Sequence, residues 1–168
     1  MLENDISAFD RRFAFTSATA LPEITAIGPD DFADAFDRAM AGELAEVEAI
    51  ANEPDEHSFD NTILALERSG RILSRVASLF FALAGAETSD ALQAVEREVA
   101  PKLSRHGSAI SLNPALFARI DALHERRAAL ALTPEQLRLL ERVHGGFLRS
   151  GARLEGPDRG RFADLNAR

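Results

Sequence analysis

Residues 58–70 read SFDNTILALERSG, and this stretch holds a full set of helix signals. Ser58 is a typical N-cap residue, and Asn61 stands where a capping box normally places Glu or Gln. Apolar residues such as Ile63 and Leu66 follow, and Gly70 is typical of a helix end. The stretch therefore predicts a core helix from about residue 59 to 69 that ends or bends at Gly70.

Similar signals flank this helix on both sides. Apolar residues recur at three- and four-residue spacing from Phe32 to Val47, which predicts a first helix over residues 31–51 that ends before Pro54. The apolar pattern resumes over residues 72–83 and predicts the most apolar helix of the chain. Ser89 is the N-cap of the next helix, which Pro101 should kink or break.

The remaining start signals lie near the end of the chain. Asn113-Pro114 combines a cap with proline at the first helical position, and Thr133-Pro134 does the same, with Gln136 placed for a capping box. Gly156-Pro157 opens a short last helix. We predict an all-α antiparallel bundle of six or seven helices over residues 31–168, preceded by an extended N-terminal arm over residues 1–30.

Composition excludes several classes of function. The chain has 168 residues, the size of one domain, and a net charge of −8 that makes nucleic acid an unsuitable partner. The arginines near the C-terminal end are interpreted as a solvated face. No apolar run approaches the length of a membrane span, the N-terminus lacks the pattern of a signal peptide, and cysteine is absent. We therefore expect a cytoplasmic protein without disulfides, a thiolate metal site or a cysteine nucleophile.

The four histidines do not form a metal motif. His57, His106, His124 and His144 have no second histidine three or four residues away. The segment that starts at His124 reads HERRA, which resembles the zinc motif H-E-x-x-H but has alanine in place of the second ligand. His124 is interpreted as a surface or boundary residue, and His144 as a core residue with one hydrogen bond.

Other catalytic patterns are absent as well. Glu43, Glu46 and Glu48 lie opposite the apolar stripe of the first helix, so a solvated face is the better interpretation. The chain has no nucleophile elbow and no glycine-rich phosphate loop. Gly145-Gly146 inside a helical pattern indicates a close helix crossing or a bend. From the residues alone, we predict no catalytic, cofactor-binding or metal-binding residue.

Nearly the whole chain nevertheless resembles the N-terminal region of the thimet oligopeptidase family of zinc metallopeptidases, with wording nearest to its peptidyl-dipeptidase branch. Four stretches carry the resemblance: LPEITAIGPDDFADAFDRAM at 21–40, SFDNTILALERSG at 58–70, RVASLFFALAGAETSDALQAVEREVAPKLSRH at 75–106, and SLNPALFARIDALHERRAALALTPEQLRLLERVHGGFLRSGARL at 111–154. They occur in the family's order. The resemblance implies a helical enzyme of two lobes, with zinc held by H-E-x-x-H and a downstream Glu in a narrow channel that admits short peptides.

The resemblance transfers no site residue to this chain, because neither H-E-x-x-H nor the third ligand occurs before Arg168. We therefore expect an excised or truncated N-terminal region that forms a channel wall of the peptidase. Its partner would be the catalytic region of the same polypeptide, and alone it should bind no zinc and cleave no peptide. An exposed wall surface should be unusually apolar or lead to self-association.

A free-standing helical interaction module is the alternative hypothesis. Such a module would bind a partner helix or peptide in a groove between helices. A stop codon after Arg168 in the native gene would favour the module. A reading frame that continues to an H-E-x-x-H motif would favour the peptidase.

Overall fold

The structure is a computed structural model that describes residues 27–86, 89–154 and 156–166. Every regular element within these residues is helical, which confirms the prediction of an all-α bundle. The elements are α1 (Pro29–Ala51), a π-helical segment (Phe59–Leu64) that continues into α2 (Ala65–Arg68), α3 (Arg71–Ala86), α4 (Asp90–Ser111), α5 (Pro114–Glu125), a 3₁₀ turn (Arg127–Ala129), α6 (Pro134–Arg149) and α7 (Gly156–Asn166). The predicted N-terminal arm lies outside the described residues up to position 26. Its last two positions are already helical, because α1 begins at Pro29.

The helix boundaries follow the predicted caps. The Ser89 hydroxyl accepts a hydrogen bond from the Leu92 N–H, and the Asn113 side chain accepts one from the Leu116 N–H. Thr133 and Gln136 form the predicted capping box at the start of α6. Each of these contacts satisfies a backbone donor that the first helical turn leaves without a partner.

The chain divides into two compact units. The first comprises the part up to Glu43 together with Gly70–Ala100. Its core is aromatic: the Phe80 ring meets Phe32 edge-on at a centroid distance of 5.2 Å and Phe36 at 5.5 Å. All three rings are buried. The apolar stripe predicted on the first helix and the apolar face of α3 thus supply this core.

The second unit comprises Leu44–Ser69 together with the chain from Pro101 onward. Its core combines the end of α1, the π-helical segment, α5 and α6. The apolar side chains of this core with no more than 1% exposure are Val47, Ile63, Leu116, Ile120, Leu123 and Leu140. The SFDNTILALERSG stretch therefore contributes to a core, as predicted.

Pro101 neither ends nor interrupts α4, which runs from Asp90 to Ser111 as one helix. Of the two predicted effects of Pro101, the break is therefore wrong, and the kink stays a prediction. Proline removes one backbone donor from a helix, but the apolar face persists on both sides of it. Val99 before Pro101 is 1% exposed, and Ile110 after it packs against the core of the second unit. Burial of both halves outweighs the missing hydrogen bond.

The glycine pair in α6 does not mark a close helix crossing, which corrects that interpretation, and the alternative of a bend stays a prediction. A Cβ atom at Gly146 would meet nothing within 4 Å, whereas one at Gly145 would lie 3.2 Å from the Arg149 guanidinium. We expect Gly146→Ala to raise the free energy of unfolding by about 0.5–1 kcal/mol, because alanine loses less backbone entropy in a helix. Urea unfolding measures this effect. Gly145→Ala is the matched control and should gain less, and a loss of stability in Gly146→Ala would contradict the prediction.

Candidate functional site

Arg119 is a buried charged residue of the second unit, with an exposure of only 3%. It lies on α5 and donates from Nη1 to the Glu53 carbonyl at 2.6 Å. Its Nη2 donates to Asn61 Oδ1 at 3.1 Å, and its Nε donates to Thr62 Oγ1 at 3.4 Å. One guanidinium therefore joins α5 to the loop before the π-helical segment and to the segment itself.

Asn61 connects this guanidinium to the helix cap. Its Oδ1 accepts from the Ser58 N–H at 2.9 Å, and its Nδ2 donates to the Glu56 carbonyl at 3.0 Å. The Ser58 hydroxyl accepts in turn from the Asn61 N–H at 3.1 Å. Asparagine serves here because its amide both donates and accepts. The Ser and Asn of SFDNT thus form the capping box, and Asn61 is also a partner of Arg119.

The backbone of this stretch differs from the prediction. An α-helix was expected from residue 59, but residues Phe59–Leu64 form a π-helical turn before α2 begins. The Ala65 N–H donates to the Asp60 carbonyl five residues earlier. Because Asn61 and Thr62 both bond the buried guanidinium, we attribute the wider turn to these tertiary contacts, which outweigh local preference.

A second polar group joins α5 to α6 around His144, which is 6% exposed. His144 Nε2 lies 2.8 Å from Asp121 Oδ1, and Arg153 Nη2 lies 3.5 Å from the same oxygen. The His144 ring stacks on His124 at a centroid distance of 3.8 Å and an interplanar angle of 6°. It also stacks with Phe117 at 5.9 Å. The prediction of a buried His144 with a hydrogen bond is confirmed.

The environment shifts two ionisable groups of this cluster. The hydrogen bond from His144 holds the pKa of the Asp121 carboxyl below its usual value, and Arg153 acts in the same direction. Burial lowers the pKa of His124, and the neighbouring His144 and Arg127 lower it further. The charges of Asp121 and Glu141 oppose that shift without cancelling it. His124 is therefore held toward its neutral form.

The two stacked imidazoles do not fit a shared zinc ion. A histidine ligand directs its lone pair in the plane of its ring. The rings of His124 and His144 lie in nearly parallel planes, so one ion cannot lie in both. Among the described residues, no group of three or more His, Asp or Glu side chains could hold a metal ion. The expectation that the whole chain carries no metal, cofactor or catalytic residue stays a prediction.

The predicted acidic surface is only partly exposed. Glu46 and Glu48 are exposed, whereas the half-buried Glu43 carboxylate lies against the backbone of Gly70. Two arginines of the C-terminal end are also engaged, since Arg153 reaches Asp121 and Arg159 donates to the Leu154 carbonyl at 3.0 Å.

Shallow surface cavities occur in both units. One of about 320 Å³ lies in the first unit beside Leu92 and Arg97, and one of about 310 Å³ lies in the second unit beside Arg138 and Arg142. A third, of about 290 Å³, is lined by Glu56, His57, Ser58, Phe59, Arg126, Leu130 and Leu132.

The polar lining of the third cavity includes a serine and a histidine. The Ser58 hydroxyl caps the π-helical segment. Arg126 binds the loop that precedes the π-helical segment. Its Nη1 donates to Glu56 Oε1 at 2.7 Å, and its Nη2 donates to the His57 carbonyl at 2.9 Å. Burial first, then the charges of Arg119 and Arg126, lower the pKa of the His57 ring. These polar groups therefore hold the loop in place.

Sequence reasoning missed Arg119 and the histidine stack for different reasons. Arg119 follows Leu116 by three residues and precedes Leu123 by four, so its position on the buried face was visible. His124 and His144 lie on different helices, and only the packing of α5 against α6 brings their rings together. No local pattern encodes that contact.

No helix in the described part of the chain has the length and apolar character needed to cross a membrane. No protein-family model matches the chain. Over 145 residues, or 86% of its length, it is 41% identical to a dipeptidyl carboxypeptidase of Escherichia coli K12. Identity and coverage are the same for a dipeptidyl carboxypeptidase of Salmonella typhimurium LT2. The chain spans about a fifth of the length of these relatives, 21% in each case. It is thus related in sequence to peptidases of this type.

Proposed function

We propose that the chain forms the N-terminal helical region of a zinc peptidase of the dipeptidyl carboxypeptidase type, within the thimet oligopeptidase family. One observation carries the proposal: 41% identity extends over 86% of this chain but over only 21% of each relative. Similarity over most of the chain is what a shared structural region produces. The proposed role is to form part of the wall of the substrate channel in a cytoplasmic enzyme that acts on short peptides.

The polar groups of the second unit support a structural role. Arg119, Asn61 and Ser58 bond one another or nearby backbone. His144 bonds Asp121 and stacks on His124. The sequence contains no H-E-x-x-H motif, so the zinc ligands and the general base would come from another region of the peptidase. That region is the proposed partner.

The purified chain should bind no stoichiometric zinc and should cleave no fluorogenic peptide. The physical reason is that a catalytic zinc site needs three converging protein ligands. Metal analysis after dialysis against zinc and a peptide-cleavage assay measure both properties. Stoichiometric zinc together with chelator-sensitive cleavage would contradict the proposed division of roles.

A chimera tests the role directly. The matching segment of the E. coli relative would be replaced by this chain, and release of C-terminal dipeptides would be measured. We expect chelator-sensitive activity in the chimera and none in a deletion variant that lacks the segment. A chimera that folds by circular dichroism but releases no dipeptide would argue against the peptidase role and for a separate interaction module.

A further inference from the structure

Two contacts described between α5 and α6 meet at His144: the stack with His124 and the hydrogen bond with Asp121. His124 projects from α5 onto the ring of His144 on α6, with the ring centroids only 3.8 Å apart. Asp121, one turn before His124, bonds the edge of the same His144 ring at 2.8 Å. Because an ionised carboxylate only accepts hydrogen bonds, His144 Nε2 must carry the proton of this bond. The hydrogen bond to Asp121 thus orients the His144 ring, and the stack on His144 orients the His124 ring.

The charges around the stack come from each neighbouring element. They are Asp121 from α5, Arg127 from the 3₁₀ turn, Glu141 from α6, and Arg153 from the segment after α6. Asp121 already serves His144 and Arg153, and Arg127 Nε lies 3.9 Å from Glu141 Oε1. Both carboxylates therefore have cationic or donor partners already. A positive charge on His124 would therefore share these carboxylates with the groups that they already contact.

We propose that the His124–His144 stack is a pH-sensitive clamp between α5 and α6. At neutral pH the two rings stack with His124 neutral. A proton on His124 places a cation in a partly buried site, near the Arg127 guanidinium that repels it. This charge weakens the stack and loosens the packing of α5 against α6 in mildly acidic solution. The proposal concerns this contact alone and holds whether or not the chain belongs to a peptidase.

The direction of the pH effect follows from proton linkage. The folded structure lowers the pKa of His124 below its ordinary value of 6.5, so the unfolded or opened state binds more protons in this range. The stabilisation is fully present above about pH 6.5 and is lost as the pH falls through the folded pKa. Acidification therefore favours opening.

Amide hydrogen exchange tests the clamp. Protection factors, corrected for intrinsic exchange, would be compared at about pH 7.5 and about pH 5.5. In the wild-type chain we expect amides of α5 and α6 to lose at least about fivefold in protection relative to amides of α3, since one unfavourable charge contact is worth about that factor. In His124→Phe the ring still stacks but takes no proton, and this loss should disappear.

His57→Gln is the matched control, because burial also lowers the pKa of His57 although its ring lies outside the stack. This variant should keep the loss of protection in α5 and α6. A second readout uses the wild-type chain alone: the NMR titration of the His124 ring should coincide with shifts of α5 and α6 amides. The proposal is overturned if wild type shows no selective loss, if His124→Phe retains it, if His57→Gln abolishes it, or if the His124 ring titrates without those amide shifts.

Discussion

Replacing Arg119 by alanine should lower the free energy of unfolding by about 3–4 kcal/mol, one of the largest effects expected of a single substitution. The guanidinium is 3% exposed and serves the Glu53 carbonyl, Asn61 and Thr62. Its removal leaves these acceptors without their buried donor and leaves a void beside α5. Equilibrium urea unfolding, followed by circular dichroism, measures the loss.

Two controls separate this effect from a general sensitivity to lost charge. Arg153→Ala removes an arginine whose side chain is 67% exposed and 3.5 Å from its partner, so it should cost less than about 0.5 kcal/mol. Arg119→Lys keeps the charge but loses the planar fork, and it should recover only part of the stability. Near-equal losses for Arg119→Ala and Arg153→Ala would contradict the assignment.

A double-mutant cycle with Asn61→Ala tests the connection between α5 and the π-helical segment. Because Arg119 Nη2 donates to Asn61 Oδ1 at 3.1 Å, the two losses should not add, with a coupling of about 1 kcal/mol or more. Additive losses would show that Asn61 acts only as a helix cap, as its sequence position alone suggests.

The contrast between local caps and contacts distant in sequence shows how far the sequence predicts this fold. Helix caps and apolar periodicity are local features of the sequence. The helix starts predicted at Ser89 and Asn113 are therefore correct. The π-helical turn and the unbroken helix through Pro101 depend on partners distant in sequence. Local preference predicts a regular α-helix at residues 59–64 and an interruption of the helix at Pro101. Tertiary packing decides both.

The candidate site is less predictable than the fold, because its contacts join residues that are distant in sequence. The burial of His144 follows from its place on an apolar face, and the structure confirms it. Its stacking on His124 requires the relative position of two helices, which no spacing within either helix specifies. The peptidase relationship, in contrast, rests on similarity over long stretches of the chain.

Gly70→Ala should lower the free energy of unfolding by about 2 kcal/mol. Gly70 separates α2 from α3 with a φ of +66°, a conformation that costs a residue with a Cβ atom about 1 kcal/mol or more. A Cβ atom at this position would also overlap the Glu43 carboxylate, which must move away. Urea unfolding of Gly70→Ala measures the two costs together.

Gly42→Ala is the matched control, because a Cβ atom there meets nothing within 4 Å and the residue lies inside α1. It should stabilise the chain by about 0.5–1 kcal/mol, opposite in sign to Gly70→Ala. The cost of Gly70→Ala would also be measured in a Glu43→Ala background. Removing the carboxylate removes the overlap with the new Cβ atom but leaves the backbone cost of the positive φ unchanged. If Gly70→Ala is neutral, or costs the same in both backgrounds, then the Glu43 side chain yields freely and the overlap contributes nothing to stability.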